Sequence, residues 1–128
     1  MATYMANQNA LIAPDQAIGL PGTLDSSVVT AGTDGKKVVK AGTPVGATVN
    51  WLTTDQSTAV TKLSEFTAAE GEIFAGVVAD DVDLTTGDKE ATILFANVYL
   101  RQKMLDTTVV AALQAVAGKT TGVTLVNR

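Results

Sequence analysis

The stretch that most constrains this chain is residues 71–100. It reads Gly-Glu-Ile-Phe-Ala-Gly-Val-Val-Ala, then Asp-Asp-Val-Asp-Leu-Thr-Thr-Gly-Asp-Lys, then Glu-Ala-Thr-Ile-Leu-Phe-Ala-Asn-Val-Tyr-Leu. Two apolar runs flank one polar loop. The first, 73–79, is short and interrupted by Gly76. The second, 91–100, sends Ile93, Phe95 and Tyr99 one way and Leu94, Ala96, Val98 and Leu100 the other. A strand with apolar residues on both faces is predicted to be central and covered on both sides. The loop carries acids and a Gly87 suited to positive φ. The strand pair is therefore expected to form the core of a small β-rich domain.

Composition narrows what such a domain can do. With 128 residues the chain fits one domain, and a domain of this size buries roughly two-thirds of its extended-chain surface. Cysteine and histidine are both absent. Disulfides, thiolate metal sites and Ser-His or Cys-His nucleophile pairs are thus excluded, along with the commonest general base near neutral pH. A net charge of −4 argues against a direct nucleic-acid footprint. No run approaches the ~20 apolar residues that span a bilayer. The first basic residue is Lys36, so the start does not read as a signal peptide.

Along the chain, residues 1–27 carry Pro14 and Pro21 and scattered apolar residues that fit neither strand nor helix spacing. A poorly ordered leader is one reading. An extended arm that adds to a partner's sheet edge is the one the apolar content favours, with Tyr4, Met5, Leu11, Ile12, Ile18 and Leu20 as contact candidates. Residues 28–128 are expected to form a single β-rich domain. Val28-Val29-Thr30-Ala31-Gly32-Thr33 recurs as Val38-Val39-Lys40-Ala41-Gly42-Thr43, with Asp34-Gly35 between, which predicts a hairpin with its tip at Asp34-Gly35. Pro44 belongs at a strand entry, followed by a strand over 47–52. Residues 59–66 alternate like an edge strand, with Lys62 blunting the edge. Asp106 can cap a helix over about residues 106–117, where Val109, Val110, Leu113, Val116 and Ala117 recur at helical spacing. Residues 123–126 read as a last strand. The fold class is mainly β, a small sandwich or barrel with one short C-terminal helix.

The constellations that could carry chemistry are thin. Asp80, Asp81, Asp83, Asp88 and Glu90 cluster, but an EF-hand register started at Asp81 puts Thr86 where glycine is needed and Thr92 where glutamate is needed. A solvated acidic loop is the simpler reading. Phosphate-binding glycine motifs are absent. A glycosidase pair would lack an aromatic cleft, since the chain has one tryptophan and two tyrosines. Trp51 reads either as a buried core or rim aromatic or as an interface anchor. Lys36, Lys37 and Lys40 read as a soluble loop tip, or as a contact for an acidic partner. No enzyme activity and no cofactor or metal is expected; a binding or structural role is.

The segment 76–94, Gly-Val-Val-Ala-Asp-Asp-Val-Asp-Leu-Thr-Thr-Gly-Asp-Lys-Glu-Ala-Thr-Ile-Leu, resembles the lambda-type head decoration proteins of tailed bacteriophages. Those chains carry a Gly-apolar-apolar run, an Asp-Val-Asp element, Gly-Asp and a Lys-x-Ala-Thr-Val-Leu-like strand. The turn Ala41-Gly42-Thr43-Pro44-Val45-Gly46 resembles their Ala-Gly-Thr-Val-Leu-Gly segment. The residues that carry the resemblance are Gly42, Thr43, Gly46, Asp81, Asp83, Gly87 and Asp88, as structural positions. The similarity runs over residues 38–100; the C-terminal helix and strand lie outside it. It implies a β-tulip-type fold and a homotrimer on the outside of the expanded capsid, at three-fold and quasi-three-fold positions, although some decoration proteins attach as monomers. It also implies a major capsid protein as partner, resistance to internal DNA pressure, and assembly in the host cytoplasm without a membrane. A virion surface or fibre β module binding carbohydrate or receptor is the alternative, and it needs Trp51, Tyr4 and Tyr99 accessible together.

Overall fold

The computed structural model of the chain describes residues 11–12, 16–57, 60–120 and 122–126. Among the described residues it is mainly β, with ten strands and one α-helix. Ten strands follow in order: β1 Leu11–Ile12, β2 Ile18–Leu24, β3 Val38–Val39, β4 Pro44–Ala47, β5 Lys62–Glu65, β6 Ile73–Val78, β7 Val82–Asp83, β8 Lys89–Ala96, β9 Val98–Arg101 and β10 Val123–Val126, with helix α1, Thr107–Ala115, between the last two. Strands β2-β5-β4-β6-β8 close into a barrel; β1-β9-β10 form a three-stranded sheet; β3 and β7 pair by themselves.

The central pair forms as predicted. β6 and β8 are antiparallel, with Val77 opposite Leu94 and Val78 opposite Ile93. Ile93 joins Leu24, Val45, Trp51, Leu63 and Val78 in one buried cluster. Leu94 joins Val77, Val98, Leu100, Val109 and Leu113 in another, under the helix. Adjacent residues of one strand thus feed two cores, which is why both faces of 91–96 are apolar. α1 has only nine residues, too few to hold alone, so burial of Val109 and Leu113, about 1.5–3 kcal/mol each, is what keeps it formed. Asp106 caps it, accepting from the Thr108 amide at 3.0 Å and hydroxyl at 2.7 Å.

Five expectations are corrected. The run 91–100 is not one strand: Asn97, at φ +56°, breaks it, and β9 leaves the barrel for the other sheet. Asparagine tolerates this left-handed conformation better than a β-branched residue would. The strand over 47–52 ends at Ala47, because Asn50 gathers the chain into a turn. Its carbonyl accepts from the Thr54 amide at 3.0 Å and hydroxyl at 2.7 Å, and its side chain accepts from the Leu52 amide. That local bonding displaces a ladder.

The hairpin of 28–49 has its tip but not its ladder. The Gly32 amide bonds the Lys36 carbonyl at 2.9 Å around Asp34-Gly35, with Gly35 at φ +79°. Val38–Val39, however, pairs with β7 instead of Val28-Val29. Ser26–Val28 is a short 3-10 turn capped by Asp25. β5 is not an edge, since it pairs with β2 on one side and β4 on the other. Finally, the domain does not begin at residue 28. Ile18–Leu24, placed in the expected arm of 1–27, is a full barrel strand paired with β8 along its length.

Candidate functional site

Of the residues that carry the resemblance, Gly42, Thr43 and Asp81 meet at one junction, and Gly46, Asp83, Gly87 and Asp88 each serve at another place in the fold. Gly42, at φ +89°, donates its amide to the Val78 carbonyl at 2.7 Å, and the Val78 amide returns to the Thr43 carbonyl at 3.1 Å. A side chain on Gly42 would press on Leu105. Thr43 is buried and its hydroxyl donates to the Lys40 carbonyl at 2.6 Å. Gly46 lies so close to β6 that a Cβ would collide with the Ile73 carbonyl. Asp81 accepts the Ala41 amide at 2.7 Å, which ties the loop after β6 to the turn before β4. Lys40 stands 3.9 Å from the same carboxylate in an exposed pair worth little.

Asp83 accepts the Thr85 amide at 2.9 Å and its hydroxyl, and the Thr85 oxygen in turn accepts the Lys37 amide at 2.9 Å. Gly87 turns the loop at φ +143°. Asp88 is the most connected. One carboxylate oxygen accepts the Ser26 amide at 2.8 Å and the Ser26 hydroxyl at 2.7 Å, while the other meets Lys62 Nζ at 2.7 Å. The Lys62 ammonium, then the Ser26 amide and hydroxyl, hold its carboxyl well below the usual carboxylate range. Lys62, expected to blunt an edge, instead links β5 to the loop before β8. Among the described residues no group of three or more acids is placed to hold a metal ion.

The arm candidates divide. Tyr4 and Met5 lie outside the described residues. Leu11 and Ile12 form β1, paired antiparallel with β9 opposite Leu100 and Tyr99. Ile18 and Leu20 sit on β2 and are about half exposed even though the strand belongs to a closed barrel. Trp51 is buried, 6 % exposed, and packs against Gly22, where a Cβ would stand 2.9 Å from the indole. The aromatic platform required for carbohydrate binding therefore lacks its central ring.

Other exposed apolar residues escaped the periodicity argument: Val49, Leu52, Val60 and Ile73. The signal available for the first two was charge, since residues 41–54 contain no Asp, Glu, Lys or Arg. A groove of about 330 Å³ opens on another face, with a floor of Leu24, Val45 and Leu63 and a rim that includes Asp25, Lys40 and Glu65. No helix among the described residues is long and apolar enough to cross a membrane. Compared with known proteins, the chain matches no family model, no curated protein and no solved structure.

Proposed function

We propose that this chain is a capsid decoration protein of a tailed bacteriophage. It binds the outside of the expanded capsid as a homotrimer at three-fold and quasi-three-fold positions and stabilises it against internal DNA pressure. It acts by binding, without catalysis, and assembles on the virion in the host cytoplasm. The chain ahead of β1, with Tyr4 and Met5, serves as the arm that pairs with strands of the major capsid protein, while Leu11 and Ile12 stay paired with β9 of the chain itself. Several arms on one trimer raise avidity without any strong single contact.

The observation that carries this reading is the joining of the two resembling segments into one bonded unit. The turn of residues 41–46 and the segment 76–94 lie some thirty residues apart, yet they exchange the Asp81–Ala41, Gly42–Val78 and Val78–Thr43 hydrogen bonds. The likeness thus falls on residues that cooperate in three dimensions, which chance matches of Gly, Thr and Val would not be expected to do.

The test is co-sedimentation with expanded, DNA-free shells and with unexpanded precursors. The expected result is saturable binding to expanded shells only, lost when residues 1–10 are deleted while the fold stays intact. Equal binding of the truncated chain would remove the arm from the account. The cut must fall before Leu11, because a longer deletion strips β1 from β9, and one through Leu20 removes part of a barrel strand.

A further inference from the structure

We propose that the barrel end carrying Ile18, Leu20, Val49, Leu52, Val60 and Ile73 is the docking face, and that its occupant is an apolar, base-rimmed patch on the capsid protein. The proposal rests on the capsid reading above and adds which side of the molecule meets the shell.

Strand register places Ile18, Leu20 and Ile73 at one end of the barrel, and chain connectivity adds Val49, Leu52 and Val60. β2 runs antiparallel to β8, β8 to β6, β6 to β4 and β4 to β5. The starts of β2, β5 and β6 and the ends of β4 and β8 therefore share one end of the barrel. Ile18 and Leu20 lie at the start of β2 and Ile73 starts β6. Val49, Leu52 and Val60 lie in the connection that leaves β4 and enters β5 at that end. Each of the six is 41–60 % exposed. Single exposed apolar side chains are ordinary; six gathered from separate elements at one end mark an interaction face.

Charge separates this end from its opposite. The connection of residues 48–61 has a single charged residue, Asp55, and residues 66–72, which run from the end of β5 back to the start of β6 at this end, add Glu70 and Glu72, with no Lys or Arg in either. Lys62 starts β5, but its ammonium turns to Asp88. The two connections at the far end, 25–43 and 79–88, hold Asp25, Asp34, Asp80, Asp81, Asp83 and Asp88 together with Lys36, Lys37 and Lys40. The far end also exposes Val28 and Val38, but among these charges; the end with few charges is suited to meeting a surface while the charged end stays in water. The three acids complement lysine or arginine around an apolar centre and disfavour nucleic acid. The chain enters the barrel at this face, at Ile18.

The experiment uses the full chain and expanded, DNA-free shells. A photo-crosslinking amino acid is placed at Leu52 or, as a control at the far end, at Val28. Shell affinity is measured in parallel for Leu52→Lys with Ile73→Lys and for Val28→Lys. The expected result is crosslinking to capsid protein from position 52 and not from 28. The double variant should lose at least about tenfold in affinity, the range of interface anchors, while Val28→Lys binds as the unsubstituted chain does. Crosslinking from 28 instead of 52, crosslinking from 52 to a second copy of this chain, or undiminished binding by the double variant each overturns the docking face while leaving shell binding intact. Failure of the unsubstituted chain to bind expanded shells overturns the capsid reading itself.

Discussion

At the end of the barrel where β2 and β5 finish, five aspartates accept backbone amides: Asp25 from Ser27, Asp34 from Lys36, Asp81 from Ala41, Asp83 from Thr85 and Asp88 from Ser26. At the other end the side-chain bonds are local to the turns around Asn50 and Glu72, and Trp51, from the connection between β4 and β5, is buried in the barrel core. One end carries two carboxylate bonds between distant segments, Asp81 to Ala41 and Asp88 to Ser26; the other carries bonds within its own turns and one large buried ring. The acidic motif that dominates the sequence is therefore architecture. The surface best suited to binding is made of residues that form no motif.

Four experiments break or sharpen this contrast. The largest effect is expected from Trp51→Ala, which leaves a cavity in the barrel core and should cost about 3–5 kcal/mol in chemical denaturation. A loss below about 1 kcal/mol would mean that the ring adds little to that core. Asp81→Ala comes next. It leaves the Ala41 amide, on a buried residue, without its acceptor and should cost about 1–3 kcal/mol. Loosening should be confined to the charged end, read as faster hydrogen exchange at Ala41 and Gly42 and unchanged exchange in the connection from β4 to β5.

Acid should act at both ends, since Asp55, bonded by the Ser57 hydroxyl and amide, and Glu72, whose burial is outweighed by bonds from Ala69 and Thr67, are lowered too, but most strongly at the charged end through Asp88. Asp88 is lowered by the Lys62 ammonium and Ser26, Asp25 by the Ser27 hydroxyl and amide, and Asp83 by the Thr85 hydroxyl and amide. For a carboxyl whose folded pKa is depressed, the unfolded chain binds more protons in acid. The stabilisation is complete above the unfolded value of about 3.8 and is lost as pH falls through the lowered folded value. Denaturation midpoints should therefore hold steady from neutral pH to about pH 5 and drop below pH 4, less steeply in Asp88→Asn. An unchanged acid slope in that variant would remove Asp88 from the clasp. The smallest effect belongs to Leu52→Lys, within about 0.5 kcal/mol, since the side chain is nearly half exposed. A larger loss would show that the apolar end is core and not surface.

The sequence made some of this legible and hid the rest for identifiable reasons. Helix spacing at Val109 and Leu113, the Asp106 cap, the Asp34-Gly35 tip and the entry at Pro44 are local features, and each was correctly placed by its neighbours alone. The hairpin ladder failed because a two-residue strand such as Val38–Val39 has too little pattern to name its partner, and β7 lies more than forty residues away. β5 looked like an edge because alternation reports one wet face and one dry face but does not count neighbours. Barrel closure by β2 turned it into an inner strand. β2 itself looked like a tail because Gly19, Pro21 and Gly22 dilute its strand signal, although the bare Cα of Gly22 is what admits the Trp51 ring.

Residue order alone therefore determined which segments are apolar on both sides, where the chain turns and caps, and which catalytic groups it lacks, since these depend on side-chain type and short-range geometry. Tertiary structure decided which strand closes the barrel, which end takes the charges and which takes the bare aliphatic residues. Those outcomes follow from long-range register: a strand's direction and partners place its ends, and no window of neighbouring residues contains that information.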